Sequence, residues 1–84
     1  MGRKKLLRKL AEFFDMDARA AEQRKDEMKK LLKKLKVKEK ELKKKLKKET
    51  DDDKKEKLLR KIDVVHSQRK KGIKMRKELN EDKE

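Results

Sequence analysis

The sequence predicts an all-α fold: a long antiparallel helical hairpin, coiled-coil-like in its spacing, preceded by a short helix. Three observations carry that expectation. The chain of 84 residues has no Pro, and no Gly between Gly2 and Gly72. Lys, Leu, Glu, Arg and Ala dominate it, and their side chains lose little rotamer freedom on a helix. Its apolar residues recur at helical spacing in two separate stretches, divided by the acidic knot "ETDDDKKE" at 49–56. A strand would need alternating β-branched residues, and only "IDVV" at 62–65 hints at them.

The elements follow in order within a single domain, 1–84. Residues 3–14 form a short helix, because "LLRKLAEFF" sets Leu6, Leu10, Phe13 and Phe14 on one face. It is expected to pack near the open end of the hairpin or in a dimer interface. "DMD" at 15–17 supplies a cap for a new start, followed by the small residues Ala18, Ala20 and Ala21. A long helix is then expected over 18–48, with Met28, Leu31, Leu32, Leu35, Leu42 and Leu46 as its stripe. The stripe skips between Leu35 and Leu42, so Lys36 to Lys40 is its weak middle.

An acidic turn is placed at 49–52. Thr50 or an Asp can accept from the free N–H groups of the next helix start. Asp51, Asp52 and Asp53 suit the positive end of its dipole, and Lys43 to Lys48 suit the negative end of the helix before. The second long helix spans 51–79, with Leu58, Ile62, Val65, Ile73 and Leu79 in its stripe and Arg69 and Arg76 filling two further stripe positions. A disordered acidic tail, 80–84, is expected to close the chain.

If the chain reverses near residue 52, Leu46 faces Leu58, Leu42 faces Ile62, Leu35 faces Arg69 and Leu31 faces Ile73. Leu32 then faces Gly72, where a missing side chain permits close approach. One uninterrupted helix is the competing architecture. It is disfavoured because most neighbours in 29–48 are Lys beside Lys, and like charges four residues apart are unfavourable. The hairpin stripe is a thin core for so many residues, so cover from the first helix or from dimerisation is expected.

The charge is large and patterned. The formal net charge is +14, with 60% of residues charged and only two aromatic residues. Counted along the sequence, 29–48 carries +10 and 58–77 carries +7, whereas 49–57 and 78–84 are net acidic. Such blocks suit a polyanion, whose counterions are released on docking. "RKKGIKMRK" at 69–77 is the sharpest cluster, and Arg offers a planar fork for phosphate where Lys acts as a point charge. With no stacking aromatics in either block, backbone contact is expected to dominate over base readout.

Catalysis is not expected. The chain has one His, one Ser, one Thr and no Cys, Tyr or Trp. His66 and Ser67 are sequence neighbours, so on a helix they point apart and form no base–nucleophile pair. His66 is read as a flank of the helix seam. A lone histidine and a capping Asp cluster make no metal site, and no glycine cluster cradles phosphate, so no cofactor and no metal are expected. The first residues lack a signal-peptide run, and Leu6 stands where a myristoylation site needs Ser or Thr. No window approaches the roughly 18 apolar residues of a membrane span. A cytoplasmic protein is expected.

At "LLRKIDVVHSQRKKGI", residues 58–73, the chain resembles small, lysine-rich, uncharacterised bacterial proteins that carry a "VVHSQRKKG"-like segment near the C-terminus. The resemblance implies a bacterial origin and a helical hairpin, and it brings no activity or functional residues.

The expected function is therefore that of a non-enzymatic accessory protein binding a polyanion through lysine-rich helix faces, with RNA or the ribosome preferred over DNA. The candidate contacts are Lys43, Lys44, Lys45, Arg69, Lys70, Lys71, Lys74, Arg76 and Lys77. The alternative is a coiled-coil module that grips a protein partner or a second copy through the seam of Leu31, Leu35, Leu42, Leu46, Leu58, Ile62, Val65 and Ile73. A third reading, docking of the first helix on an anionic membrane surface, ranks behind packing of its apolar face into the core.

Overall fold

A computed structural model of the protein describes residues 2–81. It contains four helices, α1 (Arg3–Phe14), α2 (Ala18–Gln23), α3 (Lys25–Lys48) and α4 (Asp52–Glu81), and no strand among the described residues. Helices α3 and α4 pack against each other as the hairpin, and α1 lies across both.

Local chemistry accounts for the boundaries. Helix α1 ends where the backbone N–H groups of Asp15 and Met16 bond back to the carbonyls of Glu12 and Phe13, tightening the last turn. Asp17 caps α2, its carboxylate accepting from the Ala20 N–H at 2.8 Å. The helix expected over 18–48 is broken once, at Arg24, whose φ of −110° and ψ of 18° leave the helical region. The Arg24 guanidinium bonds Glu27 at 2.6 Å and sits 5.2 Å from the centre of the Phe13 ring, fastening the break to the end of α1. On either side of the break, Ala21 and Met28 are both fully buried.

The turn between α3 and α4 uses Asp51 as the cap. Its Oδ1 accepts from the N–H groups of Asp53 at 2.9 Å and Lys54 at 3.2 Å. Glu49 Oε1 accepts from the N–H groups of Thr50 and Asp51, so the acidic knot ties its own backbone. Asp52 and Asp53 occupy the first turn of α4, while Lys45, Lys47 and Lys48 occupy the last turn of α3, as the dipoles favour. Helix α4 runs through Glu81, so positions 80 and 81 belong to the helix and not to the expected tail. The rest of that tail, 82–84, lies outside the described residues.

The core occupies the open half of the hairpin. Leu6, Leu10 and Phe13 of α1 bury against Met28, Leu31, Leu32 and Leu35 of α3 and Val65 of α4. Gly72 is the point where three helices converge: a Cβ there would lie 2.8 Å from Leu32 Cδ2 and 3.2 Å from Leu10 Cδ1. Leu32 thus faces Gly72, in the register that the apolar stripes imply.

Toward the turn, Leu42, Leu46, Leu58 and Ile62 are only half-buried. Length explains the asymmetry. At about 1.5 Å per residue, the 12 residues of α1 reach about 18 Å, against about 36 Å for the 24 residues of α3. One short helix covers half of the pair, and the other half protrudes as a bare two-helix arm in a molecule 50 Å long.

Candidate functional site

The weak middle of the α3 stripe is filled by an acid. Glu39 is 3% exposed, the one buried charged residue among those described. It follows Leu35 by one helical turn, which turns its side chain toward α4. There Glu39 Oε1 lies 2.7 Å from His66 Nδ1, and Oε2 accepts from Arg69 Nη2 at 3.1 Å. His66 and Arg69 are three residues apart and so share one face of α4. A buried carboxylate is costly unless opposite charge and hydrogen bonds compensate, and this bridge supplies both.

The bridge sets the histidine's orientation. An ionised carboxylate only accepts, so opposite an ionised Glu39 the Nδ1–H is the donor and Nε2 takes the opposite edge of the ring. The His66 side chain is 43% exposed while that of Glu39 is buried. The ring therefore bridges the seam and the surface. Arg69 Nε is buried and has no hydrogen-bond partner among the described residues.

Sequence reasoning missed Glu39, although a signal for it existed. It is an acid at a stripe position inside a lysine block, and the inferred register sets it near both His66 and Arg69. The stripe pattern places Arg69 in the seam but does not show its counter-charge.

The structure sorts the candidate cations. Lys43, Lys44, Lys45, Lys70, Lys71, Lys74 and Lys77 are exposed, and Arg76 is half-buried. Arg69 departs from expectation: its side chain is 19% exposed and bonded to Glu39, so its guanidinium belongs first to the seam. Lys71 Nζ lies 4.6 Å from the centre of the Phe14 ring, a cation–π contact that ties α4 to α1. Lys43, Lys44, Lys45, Lys70, Lys74 and Lys77 have no ion-pair partner among the described residues. Along α4 an open groove runs over Ile73, bordered by His66, Arg69, Lys70, Lys74 and Lys77.

The seam residues divide by position. Leu31, Leu35 and Val65 are buried, Ile73 is half-buried against the core, and Leu42, Leu46, Leu58 and Ile62 are the half-buried residues of the bare arm. Beside that arm Leu59 is 53% exposed. The apolar face of α1 is turned into the core through Leu6, Leu10 and Phe13.

Ser67 is exposed, and the neighbouring imidazole is turned to Glu39. No cluster of three or more metal-ligating side chains occurs among the described residues. No helix among them is long and apolar enough to cross a membrane. In comparisons with known proteins, no family model, no curated protein and no solved structure matches the chain.

Proposed function

We propose that this is a non-enzymatic, cytoplasmic accessory protein that binds the phosphate backbone of a nucleic acid, RNA in preference to DNA, through the lysine faces of α3 and α4. One observation carries the reading: the hairpin brings the two basic blocks side by side, and most of their lysines have no counter-charge within the described protein. Each lysine neutralising a phosphate releases condensed counterions, so affinity arises from many weak, sequence-independent contacts. Binding of a labelled duplex measured by fluorescence anisotropy should weaken steeply with salt. With five lysines engaged, the slope of log K against log [salt] on B-DNA would be about −4 to −5. A flat salt dependence, or no binding to RNA or DNA at low salt, would sink this reading.

The bare arm favours a second reading, self-association or protein binding through Leu42, Leu46, Leu58, Leu59 and Ile62. These residues lack the third helix that covers the rest of the seam. Sedimentation of wild type and Ile62→Asp tests it. A monomeric wild type at high salt, where charge repulsion is screened, argues against self-association.

A further inference from the structure

The single histidine is the feature that the lysine blocks leave unexplained. A solvated helix face has no need of an imidazole clamped by a buried acid. His66 borders the α4 groove with Arg69, Lys70, Lys74 and Lys77, over Ile73, at positions that repeat on successive helical turns. Glu39 holds its Nδ1 edge at 2.7 Å. The clamp leaves Nε2 for the surface, as a lone pair on the neutral ring and as an N–H donor on the imidazolium.

We propose that this groove is a phosphodiester subsite in which His66 Nε2–H, oriented by Glu39, donates to a phosphate oxygen beside Lys70 and Lys74. The proposal rests on the polyanion reading above and deepens it. Only the imidazolium form makes this contact, because a neutral ring with Nδ1–H on Glu39 turns a lone pair toward the phosphate. Protonation therefore adds one donor and one charge to the site, and a bound phosphate favours the protonated ring in return, as linkage requires.

The surroundings of the ring fit this behaviour. Glu39 contacts the ring from α3 at 2.7 Å, and the other charged groups lining its two grooves are Lys43 of α3 and Asp63, Arg69, Lys70, Lys74 and Lys77 of α4. Among the described residues, α1 and α2 contribute no group to the grooves that His66 lines. Among these side chains, histidine is the type whose charge ordinarily changes between about pH 5 and pH 8.

The test is duplex binding by anisotropy at about pH 6 and about pH 8, in the range where histidine changes charge, with the full chain and His66→Gln. Duplex RNA and duplex DNA serve as separate probes, since both present the same phosphodiester. Wild type should bind about fivefold tighter at the lower pH, the scale of one exposed charge contact. On B-DNA the slope of log K against log [salt] should steepen by about 0.9, the signature of one added phosphate contact. His66→Gln should bind alike at both pH values, apart from any contribution of the terminal amine, which both proteins share. Circular dichroism checks that the variant is folded.

A second readout needs no variant. The one histidine gives unambiguous ring ¹⁵N resonances, which should report the Nδ1–H tautomer in the free protein and a titration displaced to higher pH by added duplex. Equal pH dependence in wild type and His66→Gln, no pH dependence in wild type, or the Nε2–H tautomer would each overturn the subsite while leaving backbone binding in place. Absence of duplex binding at either pH would overturn the polyanion reading and the subsite together.

Discussion

Replacing Glu39 by Leu should destabilise the protein, even though it puts an aliphatic residue at an apolar stripe position. Glu39 is 3% exposed and engages both His66 and Arg69. Breaking a buried pair by removing one partner ordinarily costs about 3–5 kcal/mol, because the other charge is stranded. Here the stranded groups retain some water, since the side chains of Arg69 and His66 are 19% and 43% exposed. That places the expected loss below the usual range, at about 2 kcal/mol.

For a domain of this size, such a loss lowers Tm by about 8–16 °C. Thermal and urea melts followed by helical circular dichroism would measure it. Combining Glu39→Leu with Arg69→Met should recover most of the loss, since an apolar pair of similar volume replaces an ion pair at little cost. The double-mutant cycle should thus show a coupling above about 1 kcal/mol, as expected for residues in direct contact. If Glu39→Leu alone stabilises the protein, or if the two effects simply add, the bridge is not a stabilising unit.

The cap assignment predicts that Asp51→Ala costs about 1 kcal/mol while Thr50→Ala stays within about 0.5, both read from urea midpoints. Gly72→Leu should destabilise by about 1–3 kcal/mol or more, because its side chain would enter space filled by Leu32 and Leu10. Thermal melts and a loss of α1 protection in hydrogen exchange would register it. Leu35→Ala should cost about 2–5 kcal/mol, and Leu46→Ala at the half-buried arm less than half as much. Amide exchange should correspondingly be faster around the α3–α4 turn than around Gly72, and equal protection at the two ends would contradict the one-sided core.

The fold is legible in the sequence wherever a local rule acts. The stop at Lys48 and the restart at Asp52 follow from caps and dipoles confined to a few residues. The approach of Leu32 to Gly72 follows from a register that any stripe of that spacing implies. The break at Arg24 is different in kind. Nothing in "AEQRKDE" stops a helix, and the residue that departs is the one that meets Phe13, a residue of another helix.

The candidate site divides in the same way. Cation positions are visible in the sequence because exposed lysines need no partner. The roles of Glu39, His66 and Arg69 are not, because each is defined by the others across the seam.

By itself, the sequence determined that the protein is helical, where the hairpin turns and that its surface is strongly cationic. Helix propensity, capping and net charge are properties of neighbouring residues or of plain sums over them. Tertiary structure alone decided which lysines stay unpaired, which arginine is drawn into the seam, and which half of the hairpin α1 covers. It also decided that an acid is buried in the seam, because burial and pairing depend on what another helix brings within about 3 Å of a side chain.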